Sequence, residues 1–280
     1  MLFAFDGTWQ RREDQTNVSR FVAGYDGPSR YWDGVGTRWG QFGQALGGLT
    51  GMGGRRRVET ALRVFEAQLE QTGDEFVDVV GFSRGAALAL QFVNALDDKF
   101  AFPVRFLGLF DTVAAFGVPF NRVNLGWDLT LPPNVDSCVH AMALDESRPS
   151  FQLTRLTGDD PVSADRVREV WFRGAHCDIG GGAGNLGLSC FTLRWMVVQA
   201  FKAGLPIHQE AANQVGLQAN PMALICRGRR FLPCKRPRTV RLSDKVHESV
   251  RVVKDGVNPP LGLSRADDFG QVVGAFGEVG

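Results

Sequence analysis

The pentapeptide Gly81-Phe82-Ser83-Arg84-Gly85 constrains this chain more than any other stretch, because of what stands on either side of it. Before it runs Phe76-Val77-Asp78-Val79-Val80, apolar and β-branched as a buried strand requires. After it runs Ala86-Ala87-Leu88-Ala89-Leu90-Gln91-Phe92-Val93, a strong helix former. A sharp strand-to-helix turn lifts the serine hydroxyl above the sheet, and glycines flank it because a Cβ at either place would clash as the turn closes. Ser83 would also stand at a helix N-terminus, where free N–H groups favour developing negative charge. The expected chemistry is that of a serine nucleophile; the bland alternative is a glycine-padded turn.

Along the chain, short apolar runs alternate with amphipathic ones, which predicts an α/β fold: an α/β-hydrolase-like, mostly parallel central sheet with helices on both faces. Strands are expected at 2–5, 76–80, 104–110, 137–144 and 167–172, and helices at 58–69, 86–96 and 188–203. At 280 residues the chain can bury a sizeable core, and it reads as a single domain over 1–280, with 204–280 an irregular extension richer in Arg and Pro. The stretch 43–54 holds six glycines and is expected to be a mobile surface loop rather than helix or central strand. Ligands of open α/β sheets bind at the carboxyl ends of the strands. Those ends carry Asp6-Gly7-Thr8, Ser83, Asp111-Thr112, Asp145-Glu146 and Gly174-Ala175-His176.

A formal net charge of +1 gives no electrostatic reason to expect nucleic acid as a partner. The basic run Arg55-Arg56-Arg57 reads as a solvated helix start. No window approaches the roughly 18 apolar residues of a membrane-spanning helix. The start Leu2-Phe3-Ala4-Phe5 carries no Sec-type signal, so synthesis in the cytoplasm is expected. Cys138, Cys177, Cys190, Cys226 and Cys234 are odd in number and lack Cys-x-x-Cys spacing, so they read as reduced thiols, with neither a disulfide framework nor a metal site. No cofactor is expected.

A serine hydroxyl needs a base to take its proton. Of the four histidines, His176 follows the apolar run Val170-Trp171-Phe172 and precedes the glycine-rich Asp178-Ile179-Gly180-Gly181-Gly182, a turn expected to leave the imidazole free of the core. It also lies C-terminal to the serine, in the chain order of α/β-hydrolases. His247 is the alternative base; His140, inside an expected strand, reads as a core histidine, and His208 falls in an unstructured stretch. The orienting acid must lie at a strand exit between Ser83 and His176. Asp111 and Asp145 both qualify, with strand order slightly favouring Asp145. For the oxyanion hole, the Arg84 N–H and a donor from Gly7 or Thr8 are the expected pair.

Taken in order, Phe5-Asp6-Gly7-Thr8-Trp9, Thr16-Asn17-Val18, Gly81 to Ala86, Phe110-Asp111-Thr112-Val113, His140 to Glu146 and Trp171 to Gly182 resemble the hallmarks of the α/β-hydrolase family of antibacterial type VI secretion lipase effectors. The resemblance is strongest over 2–203. It implies a phospholipase with a Ser-Asp-His triad and carries over residue by residue to Ser83, Asp111 and His176, which tips the acid from Asp145 to Asp111. It further implies a phospholipid substrate, peripheral membrane contact, secretion-apparatus and immunity proteins as partners, and type VI export to a target cell. A general carboxylesterase and an inactive hydrolase-fold binding module are the competing expectations. A magnesium phosphatase is disfavoured by Ala4, where its nucleophilic carboxylate should stand, and a Ser83–Asp178 dyad by Ile179, where a glycine should follow the aspartate. Phe82, Phe110, Phe116 and Phe120 are compatible with an acyl-chain pocket.

Overall fold

The computed structural model describes residues 1–36, 52–114, 126–157, 165–183, 186–208, 213, 215, 217–226, 236–251 and 264–265. Apolar runs become strands of one sheet: β1 (Leu2–Phe5), β2 (Ser29–Trp32), β3 (Val77–Phe82), β4 (Val104–Phe110), β5 (Val135–Ala143), β6 (Val167–Phe172), β7 (Lys245–Val246) and β8 (Ser264–Arg265). Their order is β2-β1-β3-β4-β5-β6-β7-β8, and every neighbouring pair is parallel. The helices are α1 (Asn17–Ala23), α2 (Met52–Thr72), α3 (Arg84–Phe100), α4 (His176–Gly180) and α5 (Leu186–Lys202).

Alternation along each strand splits the core in two. Phe3, Phe5, Val77 and Val79 face α2 and α3, where Phe65, Leu88 and Phe92 meet them. Leu2, Ala4, Val80 and Phe82 face α1 and α5, which supply Val18, Phe21, Leu193 and Met196. The sheet is thus buried on both faces, which is why its central strands read as nearly continuous apolar runs. This is the α/β architecture expected, with a sheet that is wholly parallel.

Several expectations needed correction. Gly53 and Gly54 belong to α2 rather than to a loop, because α2 begins against Trp127 and Leu88 so closely that a Cβ on Gly54 would lie 2.8 Å from the Trp127 ring. Residues 43–51 of the glycine-rich stretch lie outside the described residues, as do Phe116, Phe120 and Cys234. The C-terminal part is not all irregular, since β7 and β8 extend the sheet beyond β6. At two residues each they are too short to carry a periodic pattern.

Candidate active site

From β1 the chain runs outward to β2, then returns to place β3 on the other side of β1, so the strand order reverses between β1 and β3. The carboxyl ends of two strands diverging at such a point frame a crevice. One end leads into Asp6-Gly7-Thr8, the other into Ser83. Ser83 has φ 57° and ψ −123°, a conformation that a non-glycine residue adopts only where its surroundings force it. What forces it is close packing. A Cβ on Gly85 would lie 2.2 Å from the Phe5 carbonyl oxygen, and one on Gly81 would lie 2.6 Å from Ala86 Cα. The strained turn is pinned on both sides, with the Ser83 N–H donating to the Phe110 carbonyl at 3.0 Å and the Val113 N–H donating to the Ser83 carbonyl at 3.3 Å.

His176 opens α4, after the exit of β6. Its Nε2 lies 2.8 Å from Ser83 Oγ and its Nδ1 lies 2.6 Å from Asp111 Oδ2. An ionised carboxylate only accepts, so Nδ1 carries the proton and the Nε2 lone pair faces the serine hydroxyl. The imidazole is buried rather than free of the core. The segment after it coils into a short helix, which draws the ring in between Phe82 and Phe151, at centroid distances of 4.7 and 4.8 Å. The Glu146 carboxylate accepts the His176 N–H at 3.2 Å and pairs with Arg148 at 2.7 Å, fixing the start of α4.

Asp111 is fully buried, with φ 44°, a left-handed conformation that turns its side chain away from the line of β4. Oδ1 accepts the Ala143 N–H at 2.8 Å and Arg238 Nη1 at 2.5 Å, while Oδ2 accepts Arg238 Nη2 at 3.0 Å as well as the imidazole. Burial opposes its ionisation, but the Arg238 guanidinium and His176 together outweigh burial and hold the carboxyl well below the usual carboxylate range. Arg238 is itself fastened to the Ala143 and Phe151 carbonyls at 2.9 Å each. No periodic or motif signal marks it. It is absent from the site residues expected from sequence.

Asp145 stands elsewhere, its Oδ2 accepting the Gly174 N–H at 2.8 Å in the turn after β6. His247 stacks on Phe172 at 4.5 Å with its Nδ1 against Ser249 Oγ at 2.9 Å. His140 is a satisfied core histidine, with Nδ1 3.0 Å from Glu169 and Nε2 accepting the Thr112 N–H at 3.1 Å. His208 is exposed.

On the β1 side, the Gly7 N–H is already committed to Asp6 Oδ1 at 2.7 Å, and Asp6 Oδ2 takes the hydroxyls of Thr16 and Tyr31 at 2.5 Å each. The Thr8 hydroxyl is buried with no hydrogen-bond partner among the described residues. Burial pushes the Asp6 carboxyl up to about 6, against the hydrogen bonds from Thr16, Tyr31 and Gly7. A group whose folded pKa exceeds its unfolded value stabilises the fold more as pH falls, here between about 6 and about 4, by up to about 3 kcal/mol. Urea unfolding of wild type and Asp6→Asn should therefore give a wild-type-minus-variant difference that grows on going from about pH 7.5 to about pH 4.5. A difference independent of pH would refute the raised carboxyl.

One group among the described residues has donor types close enough to hold a metal ion: Cys177, Asp178 and Cys226, whose ligand atoms lie within 4.8 Å of one another. It borders the histidine but contributes no contact to Ser83. No described helix is long and apolar enough to cross a membrane.

Residues 90–199 match the model of the catalytic domain of Tle1-like phospholipase effectors of type VI secretion systems. No curated protein sequence matches the chain. Among solved structures, an uncharacterized protein from Pseudomonas aeruginosa aligns with a TM-score of 0.61 and 22% identity, covering 78% of this chain and 48% of its own. The Tle1 effector bound to the VgrG spike of the type 6 secretion system aligns with a TM-score of 0.49 and 24% identity, covering 66% of this chain and 51% of its own. The chain thus spans about half the length of these two structures. The first of these alignments agrees with the fold, and the family match bears on the stretch that holds β4, β5, β6 and His176. It is the type VI secretion phospholipase effectors, through their Tle1-like catalytic domain, that this chain resembles in sequence.

Proposed function

We propose that the chain is a serine hydrolase that cleaves an acyl ester of phospholipids, a phospholipase of A type, with Ser83, His176 and Asp111 as its triad. The observation that carries this reading is the unbroken hydrogen-bonded line from Ser83 Oγ through His176 to Asp111, set on a strained strand-to-helix turn. His176 Nε2 takes the proton as Ser83 Oγ attacks the ester carbonyl carbon. Asp111 holds the imidazole in the tautomer that allows this and stabilises the imidazolium that forms. The tetrahedral oxyanion is received by the Arg84 N–H and a donor from the loop after β1, a role that falls to Thr8 rather than Gly7, whose N–H is held by Asp6. His176 then protonates the leaving alcohol, water enters, and the acyl-enzyme is hydrolysed.

Two further features favour a lipid over a soluble ester. The family match names phospholipase effectors. Trp9, Met222 and Leu224 expose large apolar side chains on segments that adjoin the site, at 47%, 60% and 79% of their surface. Delivery through a type VI apparatus follows from the same family match as part of the proposal. Mass spectrometry of products from mixed phospholipids and from short-chain soluble esters tests the substrate. Release of fatty acid and lysophospholipid is the expected result, whereas cleavage of soluble esters alone would make the protein a carboxylesterase. Failure of a fluorophosphonate probe to label Ser83 would reduce it to a binding module.

A further inference from the structure

Cys177 directly follows His176, and Cys226 approaches it from the segment 217–226, so their sulfurs lie within 4.8 Å of each other. The two backbones are held together by one carboxylate: Asp178 Oδ2 accepts the Cys226 N–H and the Ala175 N–H, each at 2.9 Å. Both cysteines are half-buried, whereas Cys138 and Cys190 are fully buried. A disulfide needs its two sulfurs about 2.05 Å apart, and these two start within 4.8 Å of each other on segments tied together by Asp178.

We infer that Cys177 and Cys226 form a specific disulfide site, closed by reaction with a low-molecular-weight disulfide such as oxidised glutathione. The Cys177 thiolate attacks the glutathione disulfide and expels one glutathione thiolate. The Cys226 thiolate then attacks the Cys177 sulfur of the mixed disulfide and expels the second. Two protein thiols and one glutathione disulfide become one protein disulfide and two glutathione thiols, the two electrons passing to glutathione. The bond covalently fastens the C-terminal part of the chain, which also supplies Arg238 to Asp111, onto the helix that begins with His176. Burial, with Cys226 beside it, pushes the Cys177 thiol above its ordinary range.

The site is tested by reducing the full chain, exposing it to oxidised glutathione at about pH 8.5, and following intact mass and cross-linked tryptic peptides. The expected product has lost two hydrogens, contains one peptide pair joining Cys177 to Cys226, reverts with dithiothreitol, and unfolds at a higher temperature than the reduced form. Cys226→Ser should abolish the link. Stable glutathione adducts without closure, or a link made instead through Cys234, would overturn the inference. So would stoichiometric zinc on the reduced chain, detected by cobalt substitution as thiolate-to-metal charge transfer, since the cluster would then be a Cys177–Asp178–Cys226 metal site. None of these outcomes depends on whether Ser83 is catalytic.

Discussion

Ser83→Ala is expected to lower kcat by roughly three to six orders of magnitude while leaving the fold in place. Among the described residues the hydroxyl makes a single side-chain hydrogen bond, to His176, so its removal deletes the proposed nucleophile and little else. What shapes the turn is backbone packing against Phe5 and Ala86, which alanine shares. Relief of the need to hold a polar group at a strained, buried position should even leave the unfolding midpoint level or slightly raised. Circular dichroism and a thermal melt establish the fold, and product release from phospholipid vesicles reads the rate. Turnover retained within tenfold of wild type would remove Ser83 from the mechanism and, with it, the proposed triad.

The central sheet was legible because strands buried on both faces must be apolar throughout. β3 and β4 are such runs. β2 was not, since Ser29, Arg30, Tyr31 and Trp32 form an edge strand with partly exposed side chains and no apolar pattern. α1 was hidden for a different reason. Its first residue, Asn17, looks like a loop residue but is fully buried, its amide nitrogen lying 2.8 to 2.9 Å from the Ile179 and Ser189 carbonyl oxygens and Thr192 Oγ1, with two N–H donors shared among them. Such long-range satisfaction cannot be read locally.

At the site, Ser83 and His176 stood at recognisable strand exits. The choice of acid did not, because Asp111 and Asp145 both follow apolar strands, and what separates them is the left-handed backbone at Asp111 and a guanidinium arriving from residue 238. Neither is a property of nearby sequence. Strand order favoured Asp145, family resemblance favoured Asp111, and it is the Asp111 carboxylate that touches the imidazole.

Asp111→Asn should cost about 10³ to 10⁵ in kcat, for a reason written in its hydrogen bonds. Each carboxylate oxygen accepts two donors: Ala143 N–H and Arg238 Nη1 at Oδ1, Arg238 Nη2 and the imidazole at Oδ2. An amide nitrogen at the Oδ1 position would meet two donors that cannot move. Placed at the Oδ2 position it would lose the single bond from Arg238 Nη2 and donate to His176 Nδ1, forcing the imidazole proton onto Nε2 and leaving Ser83 without a base. The second arrangement keeps the fold and removes the chemistry. Asp145→Asn, by contrast, disturbs the part-buried turn bond from the Gly174 N–H and should cost on the order of 1 kcal/mol of stability, with kcat within a few-fold of wild type. Arg238→Gln gives a third reading of the same site. Because Asp111 is held below its unfolded pKa, its ionised form stabilises the fold above about pH 4, and that contribution is lost as pH falls toward the folded value. Removing the guanidinium should raise the carboxyl and move acid unfolding to higher pH. If Asp145→Asn abolishes turnover while Asp111→Asn does not, the acid has been misassigned, and the contact between Asp111 and His176 serves only to hold α4 against β4.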